Sequence, residues 1–224
     1  MPAPAVRTAP SAVELAARVD RHYDALQSLA VDFVQQYDGM GMHRRESGTL
    51  LLAKPGRMRW TYSQPAGKLF VLDGRDAFFY SPGQTEVQRV PAKKLDDLRS
   101  PLSFLLGHTR IARELSNLTI SPGTPDGTGA VLSQTGPPPQ LPSGAAPPIY
   151  ELSGRPRGME QRVQLLRITV GADGTLLGIR IEEVDGAITS FSFSREEVNV
   201  PAAAAEFVFK APPGTTVVNG LPPI

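Results

Sequence analysis

The sequence predicts an α+β protein, mainly antiparallel β, in which one curved sheet is accompanied by an N-terminal and a central helix. Turn signals rich in Pro, Gly and Asp recur roughly every eight to fifteen residues, a spacing typical of antiparallel β proteins. Several of the intervening segments alternate apolar and polar residues, which indicates strands with one buried face. Apolar residues spaced three and four apart, the helical pattern, precede the first of these segments.

The chain opens with a Pro/Ala-rich stretch, residues 1–10, which we expect to be a disordered lead-in to a single domain over 11–224. Ser11 and Glu14 have the spacing of a capping box, in which each side chain satisfies the other residue's backbone N–H. The pattern after it predicts a helix over 11–28. Its apolar face is formed by Leu15, Val19, Tyr23, Leu26 and Leu29.

Strands are predicted where alternating segments lie between turn signals. Asp73-Gly74 is a two-residue hairpin signal, and Asp173-Gly174 and Asp185-Gly186 divide a three-stranded meander. The predicted strands cover residues 31–37, 47–53, 58–62, 68–72, 77–80, 86–90, 162–170, 175–184, 187–194 and 206–210.

Two segments interrupt the β pattern. Residues 96–106 contain Pro101, which suits the first turn of a helix, and they predict a central helix that carries Leu102 and Leu105. Residues 122–148 are dense in Pro, Gly and Ser and predict a long exposed loop inserted into the domain.

The bulk composition excludes several classes of function. Lys plus Arg is 23 against 22 for Asp plus Glu, a net charge of +1, so the basic surface that binds nucleic acid is missing. The chain has no cysteine, and therefore no disulfide, thiolate metal site or cysteine nucleophile. Hydrophobic residues make up 41%, an ordinary value for a protein with a core.

The sequence leaves the compartment open. No stretch approaches the ~20 apolar residues of a membrane-spanning helix, so stable membrane insertion is not expected. Residues 1–7 lack the apolar core of a secretory signal. The protein is then either cytoplasmic, or periplasmic with its signal peptide removed.

No catalytic or metal-binding machinery is visible. His22, His43 and His108 fall on three different elements without the spacing of metal ligands, and we interpret His22 as a packed structural residue. Adjacent carboxylates such as Glu196-Glu197 point to opposite faces of a strand and form no catalytic dyad. Nucleophile elbows, phosphate loops and dinucleotide turns are missing from the sequence. We therefore expect a protein that is not an enzyme and uses neither a metal nor a cofactor.

The apolar surface offers two interpretations. Bulky residues in 50–52, 70–72 and 78–80 fall on both faces of their strands, and Trp60 shares a face with Met58 and Tyr62. An ordinary two-sided core explains this pattern, and so does a cavity for an apolar ligand.

A series of short motifs resembles the outer-membrane lipoprotein carrier family (LolA-type). The motifs are Gly48-Thr-Leu-Leu-Leu-Ala-Lys-Pro55, Met58-Arg-Trp60, Leu72-Asp-Gly74, Phe79-Tyr-Ser-Pro82 and, near the end, Phe207-Val-Phe-Lys-Ala-Pro-Pro-Gly214. Each is weak alone, but their collinear order is specific, and the likeness covers roughly residues 12–120 and 162–219.

The resemblance implies an incomplete, strongly curled β-barrel whose concave apolar cavity is lidded by the two helices. It further implies a monomeric periplasmic carrier of acylated lipoproteins, with its signal peptide removed. The implied partners are an inner-membrane ATP-driven transporter, which releases the lipoprotein, and an outer-membrane lipoprotein acceptor, which receives it.

The resemblance also assigns residues. Met58 and Trp60 correspond to cavity residues, Tyr23 lies on the lid side of the first helix, and Leu102 and Leu105 correspond to the central lid. With the other bulky strand residues, the predicted acyl-binding set is Tyr23, Leu26, Leu50, Leu52, Met58, Trp60, Tyr62, Phe70, Leu72, Phe79, Leu102 and Leu105.

Lys54 and the loop at 122–148 depart from the family pattern. Lys54 stands where many members carry an arginine that holds the lid closed, and lysine is a single mobile ammonium rather than a planar fork. It is either a looser latch or simply an exposed lysine before Pro55. The loop leaves the docking of partners open.

Three rival functions remain. A periplasmic sensor of lipid or mislocalised lipoproteins could use the same fold, and so could a carrier of a different lipid, because an apolar cavity specifies little about head groups. An enzyme ranks third, since it would need a nucleophile and base that the sequence does not display.

Overall fold

The computed structural model describes residues 9–97, 110–124 and 147–220, which form one sheet and a few short helices. The helices are α1 (Ala12–Ala25), α2 (Ala92–Asp97) and α3 (Ile111–Glu114), with a 3₁₀ turn at Ala204–Phe207. The strands are β1 (Ser28–Gly39), β2 (Met42–Ala53), β3 (Arg57–Gln64), β4 (Leu69–Leu72), β5 (Asp76–Tyr80), β6 (Glu86–Pro91), β7 (Leu115–Pro122), β8 (Ile149–Pro156), β9 (Val163–Gly171), β10 (Leu176–Glu183), β11 (Ile188–Val198) and β12 (Thr216–Asn219).

The described strands lie in the order β12-β6-β5-β4-β3-β2-β1-β11-β10-β9-β8-β7. The chain runs outward from β1 to β6, crosses to β7, and returns through β8–β10 until β11 pairs with the other side of β1. Each neighbouring pair is antiparallel except β12 with β6, which is parallel. This open, mainly antiparallel sheet confirms the predicted fold class.

The sheet is strongly curved, and a single ring contact demonstrates it. Trp60 on β3 and Phe191 on β11 are separated by two intervening strands, which would place them about 14 Å apart in a flat sheet. Their ring centroids are 5.7 Å apart. The face that carries both residues is therefore concave, as expected when the twist of a long sheet accumulates.

Helix α1 begins with the predicted capping box. The Ser11 N–H donates to Glu14 Oε2 (2.8 Å), and the Glu14 N–H donates to Ser11 Oγ (3.3 Å). The helix ends at Ala25, so its predicted end at 28 is wrong. Ser28 already pairs with β2, because sheet hydrogen bonds outweigh the helical spacing, which happens to continue to Leu29.

The C-terminal segment crosses the convex face. The predicted strand at 206–210 is wrong: Ala204–Phe207 forms a 3₁₀ turn, and Phe209 stacks on Phe78 of β5 with ring centroids 4.9 Å apart. The Arg59 guanidinium also donates to the Glu206 carbonyl oxygen (2.9 Å). Phe207 and Phe209 thus cover part of the convex face. The last strand comes later, at Thr216–Asn219.

The middle of the chain differs from the prediction in its strands and in its helix. Strands β7 and β8 were not predicted, although β8 starts where the Pro-rich segment ends. Helix α2 overlaps only the first residues of the predicted central helix, and Leu102 and Leu105 lie outside the described residues. Most of the lead-in 1–10 and of the loop 122–148 also lies outside them.

Candidate functional site

The concave face carries a connected group of aromatic rings from three strands. Phe33 on β1 lies edge-on to Trp60 (centroids 4.6 Å apart) and to Tyr62 (5.0 Å), and Trp60 lies edge-on to Phe191. Such edge-to-face pairs are favourable beyond their buried area. We call Phe33, Trp60, Tyr62 and Phe191 the aromatic group.

Gly48 makes the contact between Phe33 and Tyr62 possible. It lies directly between them in the register, opposite Phe33 on one side and Tyr62 on the other. A Cβ atom at this position would lie 2.1 Å from the Thr61 carbonyl oxygen. The conspicuous glycine of the first family-like motif is thus required for the close approach of β2 and β3.

Strand register extends the apolar surface in two cross-strand rows. One row joins Leu52, Met58 and Leu72, and the next joins Leu50, Trp60, Phe70 and Phe79. Residues in the first row and Leu50 and Trp60 are buried. Phe70 and Phe79 pack on each other (4.8 Å) but are only partly buried. The register thus aligns these eight strand residues of the predicted acyl-binding set, Tyr62 included, on one face.

Tyr23 joins α1 by hydrogen bonds to β10 and β11. Its side chain is 2% exposed, and its hydroxyl donates to Glu196 Oε2 (2.7 Å) and accepts the Leu176 N–H (2.9 Å). Burial, together with the Glu196 carboxylate, raises the pKa of Tyr23 well above its ordinary value. His22 Nε2 lies 2.8 Å from the other Glu196 oxygen. Leu26, the residue directly after the helix, is also buried.

Lys54 contacts the end of the same helix. Its ammonium donates to the carbonyl oxygens of Tyr23 (2.5 Å) and Asp24 (3.2 Å). The backbone N–H of Lys54 donates to the Gln27 carbonyl oxygen (2.9 Å). Partial burial lowers the pKa of Lys54. A cation at this place complements the partial negative charge of a helix C-terminus.

Beyond the aromatic group, towards the β1–β2 hairpin, the concave face becomes polar. Lys68 pairs with Glu46 (2.5 Å), and the Tyr62 hydroxyl donates to Gln35 Oε1 (3.2 Å). Burial and the nearby Glu46 carboxylate raise the pKa of Tyr62.

Sequence reasoning missed several residues of this face. Phe33 and Phe191 alternate correctly on their strands, but only the fold brings these two distant strands together. Glu196 was considered only as one of two adjacent carboxylates that form no catalytic dyad, yet it accepts a hydrogen bond from the Tyr23 hydroxyl. The sequence signal for this role was that Glu196 and Glu197, as neighbours in a strand, point to opposite faces of the sheet.

The described residues contain no cluster of three or more His, Cys, Asp or Glu side chains placed to hold a metal ion. Across the same ranges, no helix has the length and apolar character needed to cross a membrane.

Comparison with known proteins identifies relatives. A family model described as "Outer membrane lipoprotein carrier protein LolA" matches residues 24–135, half of the chain. An outer-membrane lipoprotein carrier protein of Chromobacterium violaceum is 24% identical over 212 residues, covering 95% of this chain and 91% of the relative. One from Bordetella avium is 27% identical and covers 87% and 82%, respectively.

Solved structures with a similar fold include a LolA superfamily protein from Nitrosomonas europaea, with 14% identity and a TM-score of 0.40 over 90% of this chain and 99% of that one. A chain from the Pseudomonas aeruginosa MucA/MucB complex has 15% identity and a TM-score of 0.47, covering 92% of this chain and 63% of that chain.

Proposed function

The chain belongs to the outer-membrane lipoprotein carrier (LolA) family, and from this premise we propose that it is a periplasmic carrier that binds lipoprotein acyl chains on its concave face. It would receive lipoproteins from an inner-membrane ATP-driven transporter and pass them to an outer-membrane acceptor. The observation that supports acyl binding best is the apolar row from Leu50 to Phe79, which runs across four strands on one side of an open sheet.

The energetics of acyl chains explain why such a face is useful. Removing one CH₂ group from water is worth about 0.8 kcal/mol, so a palmitoyl chain represents on the order of 10 kcal/mol. A released lipoprotein would aggregate unless a protein covered its chains. Rings that are only partly buried, such as Phe70 and Phe79, retain area that a chain can cover.

The carrier function is tested by a release assay. Vesicles with the cognate transporter and a labelled lipoprotein are incubated with the protein and pelleted, and the label in the supernatant is measured. Trp60→Glu places a charge within the aromatic group, so we expect at least a tenfold loss of label in the supernatant. Thr61→Glu is the matched control, because Thr61 is the next residue on β3 and is exposed on the opposite face.

Phe79→Glu provides a second variant at a less buried position, in case Trp60→Glu fails to fold. Label that stays in the pellet with the wild-type protein and an active transporter would contradict carriage, and would favour the sensor or the carrier of a different lipid. Lipid co-purified with the protein, identified by mass spectrometry, distinguishes the last two.

Lys54 is proposed as the latch of α1. Its hydrogen bonds to the carbonyls of Tyr23 and Asp24 favour a closed state, in which α1 lies against the sheet. Because only the open state binds cargo, the apparent affinity for cargo falls in proportion to the fraction of protein that remains open. Because loss of the latch increases the open fraction, we expect Lys54→Leu to increase the cargo retained by about fivefold. Lys54→Arg should preserve the wild-type value. Lys93→Leu, at an exposed lysine, is the control, and equal retention in all four proteins would refute the latch.

A further inference from the structure

Four polar side chains lie on the concave face directly beside the aromatic group. We call Gln35, Glu46, Tyr62 and Lys68 the polar cluster. Gln35 and Glu46 are cross-strand partners on β1 and β2, and the Tyr62 N–H donates to the Lys68 carbonyl (3.1 Å), so all four follow the apolar rows on the same face.

The contacts within the cluster are specific. Lys68 Nζ lies 2.5 Å from Glu46 Oε2, and it also lies 4.5 Å from the centre of the Tyr62 ring, a cation–π distance. The Tyr62 hydroxyl donates to Gln35, while its ring packs against Phe33. Tyr62 therefore belongs to both groups, and the polar cluster is continuous with the apolar surface.

Packing alone does not account for the ion pair. The Glu46 side chain is 14% exposed and that of Lys68 26%, so both charges have lost much of their water. Apolar residues of similar size often stabilise such a position as well or better. A charged pair at the edge of an acyl-binding face therefore suggests a task in recognition.

The donors and charges of the cluster indicate the ligand. A lysine ammonium has three N–H donors, and within the described part of the chain the ammonium of Lys68 donates only to Glu46. Glu46 balances the charge of Lys68, so the pair is neutral as a whole and its carboxylate opposes an anion. These features suit a neutral group rich in acceptors more than a phosphate.

We propose that the polar cluster binds the ester and amide carbonyls that join the acyl chains of the cargo to its polar part, with Lys68 as the principal donor. Lys68 is two residues before Phe70, about 7 Å along the strand, so a carbonyl at Lys68 places its acyl chain over the aromatic rows. This inference rests on the proposed function, since it names the part of the cargo that the apolar face does not contact.

The test uses two lipopeptides with eight-carbon chains. One is an N-acyl, S-diacylglyceryl cysteine peptide, and the other has ether linkages in place of its two glyceryl esters. Binding is followed by the fluorescence of Trp60, the single tryptophan, in the aromatic group. We expect the wild-type protein to prefer the ester probe by about tenfold.

The decisive variant is the double substitution Lys68→Met with Glu46→Gln, which leaves no uncompensated charge behind. It should reduce the preference to within about twofold by weakening ester binding while ether binding stays unchanged. Lys210→Met, at an exposed lysine of the C-terminal segment, is the control and should retain the tenfold ratio.

Each other outcome counts against a defined claim. Equal binding of both probes by the wild-type protein, or an unchanged ratio in the double variant, overturns the role of the polar cluster while leaving acyl binding intact. Tighter binding of dioctanoyl phosphatidate than of the ester probe overturns the choice of a neutral ligand. Failure of both lipopeptides to bind contradicts the proposed function and this inference with it.

Discussion

The two halves of the concave face differ in composition and in burial. Around β8–β10 it is aliphatic, and Leu152, Ile168 and Ile179 are at most 1% exposed. Around β3–β5 it is aromatic, and Phe70 and Phe79 are only partly buried. One half is a filled core, and the other has ring surface that a ligand can still cover. If the proposed function is correct, stability and binding occupy different parts of one continuous surface.

Helix α1 is the physical reason for the difference. It contacts β7 and β8 and reaches the β9–β10 turn, where the Arg18 guanidinium donates to the Ala172 carbonyl oxygen. It buries Leu15 and Val19 completely in the shared core. The helix thus stabilises the aliphatic half directly, and its C-terminal end is joined to the end of β2 by the Lys54 hydrogen bonds.

The largest expected effect is on the aliphatic half. Ile179→Ala removes a side chain with no exposed surface and leaves a cavity, so we expect a loss of about 3 kcal/mol in the free energy of unfolding. Urea unfolding followed by circular dichroism measures it. Ile181→Ala, two residues along the same strand but less buried, is the control and should cost less. A loss below 1 kcal/mol for Ile179→Ala would show that this half is not a tight core.

The second effect concerns the attachment of α1. Tyr23→Phe leaves the buried Leu176 N–H without its acceptor and Glu196 Oε2 without the hydroxyl donor, so we expect a loss of about 2 kcal/mol. The measurement is again urea unfolding, with Tyr37→Phe as the control on the aromatic side. Equal stability of the two variants would indicate that water replaces the hydroxyl and that the helix is held by packing alone.

The third prediction concerns ligand affinity, for which the aromatic half should matter more than the aliphatic half. Phe79→Ala removes a partly buried ring, so we expect only about 1–2 kcal/mol of lost stability. The same variant should weaken the binding of the lipopeptide probe at least fivefold, whereas Ile179→Ala should leave the affinity of the folded protein within about twofold. Titration with the probe at a temperature where both variants are folded measures this. Equal losses of affinity would contradict the division of the face.

Local features of both halves could be predicted from the sequence, including the meander of β9–β11, whereas contacts between distant strands could not. Alternation and turn signals located β2–β5, and the family-like motifs pointed to Met58 and Trp60, because those features are local. The contact of Trp60 with Phe191 depends on the curvature of four strands, which no local pattern encodes. Pairing between distant charged residues is hidden in the same way, so Lys68 with Glu46 and Tyr23 with Glu196 emerged only from the fold.

The smallest effect is a pH dependence that originates in the aromatic half. Burial, and then the Glu46 carboxylate, raise the pKa of Tyr62 above its ordinary value of 10.0. The unfolded chain therefore releases this proton near pH 10 while the folded chain retains it. The stabilisation is fully present below pH 10 and is lost as the pH rises from there towards the folded pKa.

For one such group, the loss between pH 10 and pH 11 is at most about 1 kcal/mol. Tyr62→Phe should remove this component, so the stability of the variant should fall less steeply than that of the wild-type protein over the same interval. Urea unfolding at half-unit steps of pH measures both slopes, and Tyr23, whose pKa is also raised by burial, contributes equally to both proteins. Parallel slopes would mean that Tyr62 is hydrated in solution and that the aromatic half is more open to water than its packing against Phe33 indicates.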